Sequence, residues 1–138
     1  MSSVPFHYID LRTFGYETED AKRVRAALER LLPEDADVER EETEGHHGDR
    51  ILVLSARVDR ADEMRHVLSQ LRGSADLDRV RSELDQRVDD NCSLFVRLDK
   101  QAAYRGEVAL GDGITLRAKV EAYPAKHDAA VENAREVL

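Results

Sequence analysis

The sequence predicts an α+β fold, built as a single two-layer domain over residues 1–138. Three observations predict it: the length fits one ordinary domain, apolar residues recur at helical spacing in four segments, and from Cys92 onward they recur at every second residue. Strands joined by short glycine-containing loops favour an antiparallel or mixed sheet with helices packed on one face. The expected order is β-α-β-β-α-α-β-β-β-α, which leaves the other face of the sheet uncovered.

The first two elements are a strand and a helix. Phe6–Tyr16 is rich in β-favouring side chains around Ile9, Leu11 and Phe14, which predicts a strand. Thr18 is the expected N-cap of a helix with an acidic first turn, which ends at Pro33. The apolar side of this helix is formed by Ala21, Val24, Leu28 and Leu31.

A hairpin and two further helices are expected next. Residues 39–44 are mostly glutamate and lead through Gly45-His46-His47-Gly48 into the apolar strand Ile51–Val58, so the glycines predict a hairpin loop. Asp59 can cap a second helix that ends at Gly73. The third helix has its apolar side at Leu77, Val80, Leu84 and Val88.

The last third of the chain predicts strands with one buried face. Residues 92–98 alternate between apolar and mostly polar side chains, and residues 100–106 interrupt the pattern with a turn or a helical piece. Val108–Leu110 and Ile114–Tyr123 flank Gly111-Asp112-Gly113, which predicts a hairpin. Pro124 ends the last strand, and a final helix carries Ala130, Ala134, Val137 and Leu138 on its apolar side.

The composition restricts the class of protein. The net charge is −8, and the 21 basic residues divide into 17 Arg and 4 Lys, which indicates a halophilic protein that stays soluble where salt screens repulsion. No apolar run is long enough for a membrane span and the N-terminus lacks a signal-peptide pattern, so we expect a cytoplasmic protein. Residues 93–126 nevertheless carry 6 basic and 4 acidic residues, so the positive charge gathers late in the chain.

The outward face of the late strands is the main candidate site. If Ile114 and Leu116 pack on helices, pleating sends their neighbours to the other side, where aromatic and cationic side chains mix. Such a surface suits single-stranded or looped RNA, because rings and guanidinium groups stack on bases while Arg and Lys hold phosphates. The candidate residues are Phe95, Arg97, Arg117, Lys119 and Tyr123, with Lys100, Tyr104 and Arg105 as a possible extension. The alternative is a solvated face in which Arg and Lys pair with Glu121 and Asp99 and Phe95 fills a minor core or a dimer contact.

The two-histidine loop is the second candidate. His46, His47 and Arg50 could present imidazole and guanidinium groups to a polyanion. Adjacent histidines point in different directions, so with Asp49 they make a poor metal motif. No nucleophile elbow, phosphate-binding loop or dinucleotide glycine pattern is present, and Cys92 is expected to be a buried small hydrophobic residue. The sequence therefore predicts no catalytic residue, metal or cofactor.

Three segments together resemble an archaeal family of small RNA-binding proteins described as predicted exosome subunits. They are Phe6–Arg12, the Glu44-Gly45-His46-His47-Gly48-Asp49-Arg50 segment and the Phe95–Tyr104 segment with its Arg-Leu-Asp-Lys-Gln-Ala-Ala-Tyr sequence. The resemblance spans almost the whole chain. It implies an α+β fold similar to the ribosomal protein that binds the small RNA of the large subunit, and RNA binding in RNA processing or ribosome-related work without catalysis.

Three functional hypotheses follow. The leading one is a non-enzymatic RNA-binding protein that uses the late sheet face and the histidine loop. The second is a protein-protein adaptor or a homodimeric subunit of an RNA-processing complex, in which Phe95 and Tyr123 bury against the partner. The third is a metal-dependent hydrolase centred on His46, His47 and Asp49.

Overall fold

Five strands form one antiparallel sheet in the computed structural model, which describes residues 4–138. The order across the sheet is β2-β3-β1-β5-β4, so the first strand lies at the centre. The strands are β1 (Phe6–Tyr16), β2 (Glu39–Glu44), β3 (Arg50–Val58), β4 (Ser93–Asp99) and β5 (Gly113–Val120). The helices are α1 (Ala21–Glu29), α2 (Ala61–Arg72), α3 (Leu77–Ser82), α4 (Leu84–Arg87), α5 (Lys100–Tyr104) and α6 (His127–Val137). Within residues 4–138, no helix combines the length and the apolar character needed to cross a membrane.

The core lies between one face of the sheet and the helices. Ile9 and Leu11 of the central strand are fully buried, as are Leu28 of α1 and Val67 of α2. Burial of alternate strand residues against amphipathic helices is the two-layer solution for a sheet with one apolar face. The predicted α+β class, with helices packed on one face, is confirmed.

The predicted hairpin at residues 108–123 is wrong. Val108–Leu110 is not a strand: Leu110 forms a single bridge to Leu98 at the outer edge of β4, whereas β5 pairs with the inner edge. Between Leu110 and the start of β5, the chain therefore crosses the end of β4 from its outer to its inner edge. A β-carbon added at Gly111 would lie 2.5 Å from the Asp99 Cβ, so the glycine permits a close crossing rather than a hairpin turn.

Several element ends also differ from the expected ones. Asp20, not Thr18, caps α1, because its carboxylate accepts the Lys22 amide at 2.9 Å. The expected third helix is divided at Glu83 into α3 and α4. The turn or helical piece expected within residues 100–106 is the short helix α5. The last strand ends at Val120 rather than at Tyr123.

Candidate nucleic-acid interface

The sheet face opposite the helices, here called the open face, brings side chains from all five strands together. Rows of paired residues run across it, such as Glu39, Ser55, Arg12, Thr115 and Arg97 from β2 to β4. Neighbouring strands in such a row are about 4.8 Å apart. The open face includes Tyr8, Asp10, Arg12, Phe14, Tyr16, Glu39, Glu41, Thr43, Ile51, Val53, Ser55, Arg57, Phe95, Arg97, Thr115, Arg117 and Lys119.

A stacked cluster occupies the middle of the open face. The Arg57 Cζ lies 3.9 Å from the centre of the Tyr8 ring, and its Nε and Nη2 donate to the two Asp10 carboxylate oxygens at 2.7 and 3.0 Å. This bidentate pairing raises the pKa of Arg57 above its usual value. From β5, the Arg117 Nη2 donates to the Tyr8 hydroxyl at 2.8 Å, which raises the pKa of Arg117. Both guanidinium groups are therefore held in place and fully charged.

Further cations and rings surround this cluster. Arg12 lies over the Phe14 ring, with its Cζ 5.7 Å from the ring centre. Phe95 of β4 is 38% exposed and stands directly across from Arg117. The Arg97 side chain is 70% exposed, with its Nη2 3.6 Å from an Asp112 oxygen, a distance that suits a weak surface pair.

The middle of the open face is concave. A depression of about 830 Å³ lies there, bounded by β2 and the segment before it on one side and by β4 on the other. The surface is recessed there because the short side chains of Ser55 and Thr115 lie between longer arginine side chains. The residues lining it are Asp10, Leu11, Arg12, Phe14, Asp37, Glu39, Ser55, Ala56, Arg57, Phe95, Thr115 and Arg117.

Lys119 lies at the end of the open face where the chain before β4 folds over. Its Nζ donates to the Asn91 carbonyl, and its cross-strand partner Ser93 is 5% exposed. Within residues 4–138, neither Glu121 nor Asp99 forms an ion pair with the arginines or the lysine of the open face. The Glu121 carboxylate is instead 3.9 Å from His7, and the Asp99 carboxylate accepts from the Ala102 amide at the start of α5. The cations of the open face are thus not neutralised by those two carboxylates.

Three predicted residues lie away from the open face. The Lys100 Nζ is directed between the end of β1 and the start of α1, where it donates to the Phe14 carbonyl at 2.8 Å and to Glu19. Tyr104 stacks with Arg23 of α1 at 5.2 Å, in the helical layer, and Arg105 follows α5. They do not extend the surface formed by Phe95, Arg97, Arg117 and Lys119.

The other predicted residues also lie apart from the open face. Tyr123 is fully exposed beyond the end of β5. His46 and His47 are exposed in the β2–β3 turn, with their ring centres 5.4 Å apart, and the Arg50 Nε is 3.7 Å from a Glu42 oxygen. This turn lies at the end of the sheet where Ile51 pairs with Tyr16, away from Lys119.

Nothing in residues 4–138 supports the hydrolase hypothesis. These residues contain no group of three His, Cys, Asp or Glu side chains that could hold a metal ion. Cys92 is 3% exposed, as expected for a small core residue.

Tyr8, Asp10, Arg12, Phe14 and Arg57 are open-face residues that the sequence reasoning missed. Grouping Phe14 with Ile9 and Leu11 concealed the alternation along β1, in which Tyr8, Asp10, Arg12 and Phe14 share the outer face. Arg57 follows the buried Ala56 in β3, which is the same alternation signal. Their closeness to β5 could not be read from that signal, because it depends on the order of the strands.

Comparisons with known proteins identify relatives of the whole chain. The family model described as "RNA binding" matches residues 8–120, a range that contains every strand residue of the open face. RNA-binding protein PAB1135 of Pyrococcus abyssi is 41% identical over 143 residues, which cover 96% of this chain and 93% of that protein.

Solved structures share the fold. Mth689, a DUF54 protein from Methanothermobacter thermautotrophicus, gives a TM-score of 0.83 at 43% identity over 96% of this chain and 98% of that one. Protein AF2318 from Archaeglobus fulgidus gives a TM-score of 0.86 at 28% identity over 96% and 99%. Because the family model matches residues 8–120 and PAB1135 is 41% identical over nearly the whole chain, the chain belongs to this RNA-binding family, which has archaeal members.

Proposed function

We propose that this protein is a non-enzymatic RNA-binding protein that holds single-stranded or looped RNA on the open face. The observation that carries the proposal is the Arg57–Tyr8–Arg117 cluster on an uncovered sheet face. Unpaired bases expose their faces for stacking, whereas bases inside a duplex do not.

Asp10 and Tyr8 prepare Arg57 for this role. A carboxylate on one edge and a ring on one side fix the guanidinium plane, while the Arg57 side chain stays 56% exposed. An arginine that is already ordered loses less conformational entropy on binding than a free one. Its outer surface can therefore receive a base at low cost.

The type of cation on the open face favours RNA although the whole chain is acidic. The strands of this face carry five cations, Arg12, Arg57, Arg97, Arg117 and Lys119, and three carboxylates, Asp10, Glu39 and Glu41. Asp37 and Asp112 add two carboxylates at its edges, so net charge alone does not attract RNA. In concentrated salt, counterion release contributes little to affinity, and stacking and bidentate hydrogen bonds must contribute more. Four of the five cations are arginines, which make both contacts.

Binding of a fluorescein-labelled single-stranded RNA, measured by anisotropy in KCl, tests the proposal. We expect Arg57→Ala combined with Arg117→Ala to weaken binding at least tenfold, as expected for the loss of two directed contacts worth about 1 kcal/mol or more each. Arg25→Ala combined with Arg135→Ala removes the same charge from exposed sites on α1 and α6 and should change affinity less than threefold. Equal affinity of wild type and the open-face variant would overturn the proposal.

A protein-protein adaptor or a homodimeric subunit of an RNA-processing complex is the second candidate function. Phe14 and Phe95 are both more than a third exposed on the open face, and Tyr123 is fully exposed beyond it. Partners that stay bound after nuclease treatment, and are lost on Phe95→Ala with Tyr123→Ala, would favour the adaptor. A concentration-dependent mass in analytical ultracentrifugation would favour the homodimer.

We further propose that the protein works in the cytoplasm, in RNA processing or ribosome-related work. The sequence resemblance to predicted exosome subunits, and to the fold of the ribosomal protein that binds the small RNA of the large subunit, supports this setting. Crosslinking in cells, with identification of both the attached RNA and the attached peptide, would test it. Crosslinks on β1, β3 and β5 to ribosomal RNA or its precursors are the expected result. Crosslinks only to RNAs of other classes would contradict the proposed setting, and crosslinks confined to the histidine turn would contradict the open face as the binding surface.

A further inference from the structure

We infer that the depression on the open face prefers guanine among the bases of single-stranded RNA, with Asp37 and Glu39 accepting from the guanine edge. This inference rests on the proposed function and specifies what the open face reads. It depends on how donors and acceptors are distributed around the depression.

One wall of the depression contains only acceptors. Asp37 and Glu39 are exposed there, and within residues 4–138 neither carboxylate has an ion pair or a side-chain hydrogen bond. The third carboxylate of the depression, Asp10, already accepts from Arg57 through both oxygens. Asp37 and Glu39 are therefore the carboxylates of the depression that remain available to a ligand.

Three arginines and two phenylalanines dominate the rest of the depression. Arg12, Arg57 and Arg117 lie between this wall and Phe95 on the opposite side. A lysine or arginine from a basic peptide would reach the carboxylates only beside these guanidinium groups, which repel it. A neutral planar group that stacks on guanidinium and carries N–H donors on its edge meets both requirements, and a volume of about 830 Å³ accommodates a nucleotide.

Guanine fits this arrangement best among the four bases. Its N1–H and N2–H₂ groups lie side by side and can donate together to one carboxylate, whereas adenine and cytosine offer one amino group and uracil offers only N3–H. The phosphates would follow the opposite side, along Arg97 and Lys119, because the carboxylates of β2 repel them. The direction of the charge gradient across the sheet thus places the backbone near β4 and the base edge near β2.

Anisotropy with fluorescein-labelled nine-nucleotide RNAs tests the inference. The probes are oligouridine with one central guanosine, inosine, adenosine or cytidine, and oligouridine alone. We expect guanosine to bind about tenfold more tightly than uridine, the discrimination typical of one bidentate base contact. Inosine, which lacks the N2 amino group, should fall between them.

Asp37→Ala combined with Glu39→Ala should reduce the guanosine preference to less than twofold. The matched control, Asp35→Ala combined with Glu44→Ala, removes one aspartate and one glutamate from exposed positions that do not line the depression, and it should keep the preference. Both variants lose two negative charges, so a general rise in affinity is expected for both.

The outcomes separate this inference from the proposed function. Tight binding of every probe without a guanosine preference, or a preference kept by the Asp37/Glu39 variant, would overturn the inference and leave RNA binding on the open face intact. If no probe binds to the wild type, the proposed function fails as well.

Discussion

Replacing Lys100 by methionine tests whether this residue stabilises the fold instead of contacting RNA. The Lys100 Nζ lies 2.8 Å from a Glu19 oxygen and donates to the Phe14 carbonyl at 2.8 Å. Methionine keeps the apolar part of the side chain but removes both hydrogen bonds and the charge. Glu19 and the Phe14 carbonyl then lose a partner at a site that water reaches poorly.

The exposure of the pair sets the size of the effect. The two side chains are 12% and 24% exposed, between a surface pair, which contributes at most about 1 kcal/mol, and a buried pair, whose disruption costs roughly 3 to 5 kcal/mol. We expect Lys100→Met to lower the free energy of unfolding by about 2 kcal/mol. For a domain of this size the melting temperature should fall by about 8 °C.

The pH dependence gives an independent check. Burial works to raise the pKa of Glu19, but hydrogen bonds from Lys100 and from the Tyr16 amide outweigh it, so the net pKa is lowered. A carboxylate with a depressed folded pKa stabilises the fold above its usual pKa and loses that contribution as the pH falls through the folded value. The difference between wild type and Lys100→Met should therefore be largest near neutral pH and shrink below about pH 4.

Urea unfolding followed by circular dichroism measures this difference, and anisotropy measures RNA affinity in parallel. Lys22→Met is the control, because it removes the same charge from an exposed position on α1 and should change stability by less than about 0.5 kcal/mol. A loss below about 0.5 kcal/mol in Lys100→Met would refute the structural role. A tenfold loss of RNA affinity with the stability unchanged would return Lys100 to the binding surface.

Three further predictions concern glycines, a histidine and salt. Gly111→Ala should lower the free energy of unfolding in urea by about 2 kcal/mol, because the added β-carbon would lie 2.5 Å from the Asp99 Cβ. Gly73→Ala is the control: its β-carbon would make ordinary contacts of 3.5 Å or more, so this change should be neutral or slightly stabilising. The hydrogen bond of the His127 ring with the Asp85 carbonyl raises the pKa of His127. In an NMR titration the His127 ring resonances should therefore shift at a higher pH than those of an ordinary histidine. A measured pKa at or below the usual histidine pKa would contradict the contact. With five cations on the open face and about 0.7 counterions released per phosphate contact, the slope of log affinity against log KCl should be no steeper than about −3.5. A markedly steeper slope would indicate a larger basic surface than the open face.

The alternation of residues predicted the faces of the late strands correctly. Arg97 and Arg117 lie outward because their neighbours Val96, Leu116 and Ala118 are buried, and pleating places successive side chains on opposite sides. The same local rule failed for Val108–Leu110. A three-residue apolar run next to a glycine is compatible with a hairpin strand and equally with a segment that crosses the end of another strand.

The sequence by itself determined which side of each strand and helix is apolar, because that depends only on the spacing of neighbouring residues. Tertiary structure alone decided that β1 lies between β3 and β5, which brings Tyr8 against Arg57 and Arg117, and that Lys100 reaches Glu19. The physical reason is that pairing between distant strands is selected by the packing of the whole core. Contacts across the sheet therefore join residues that no local pattern relates.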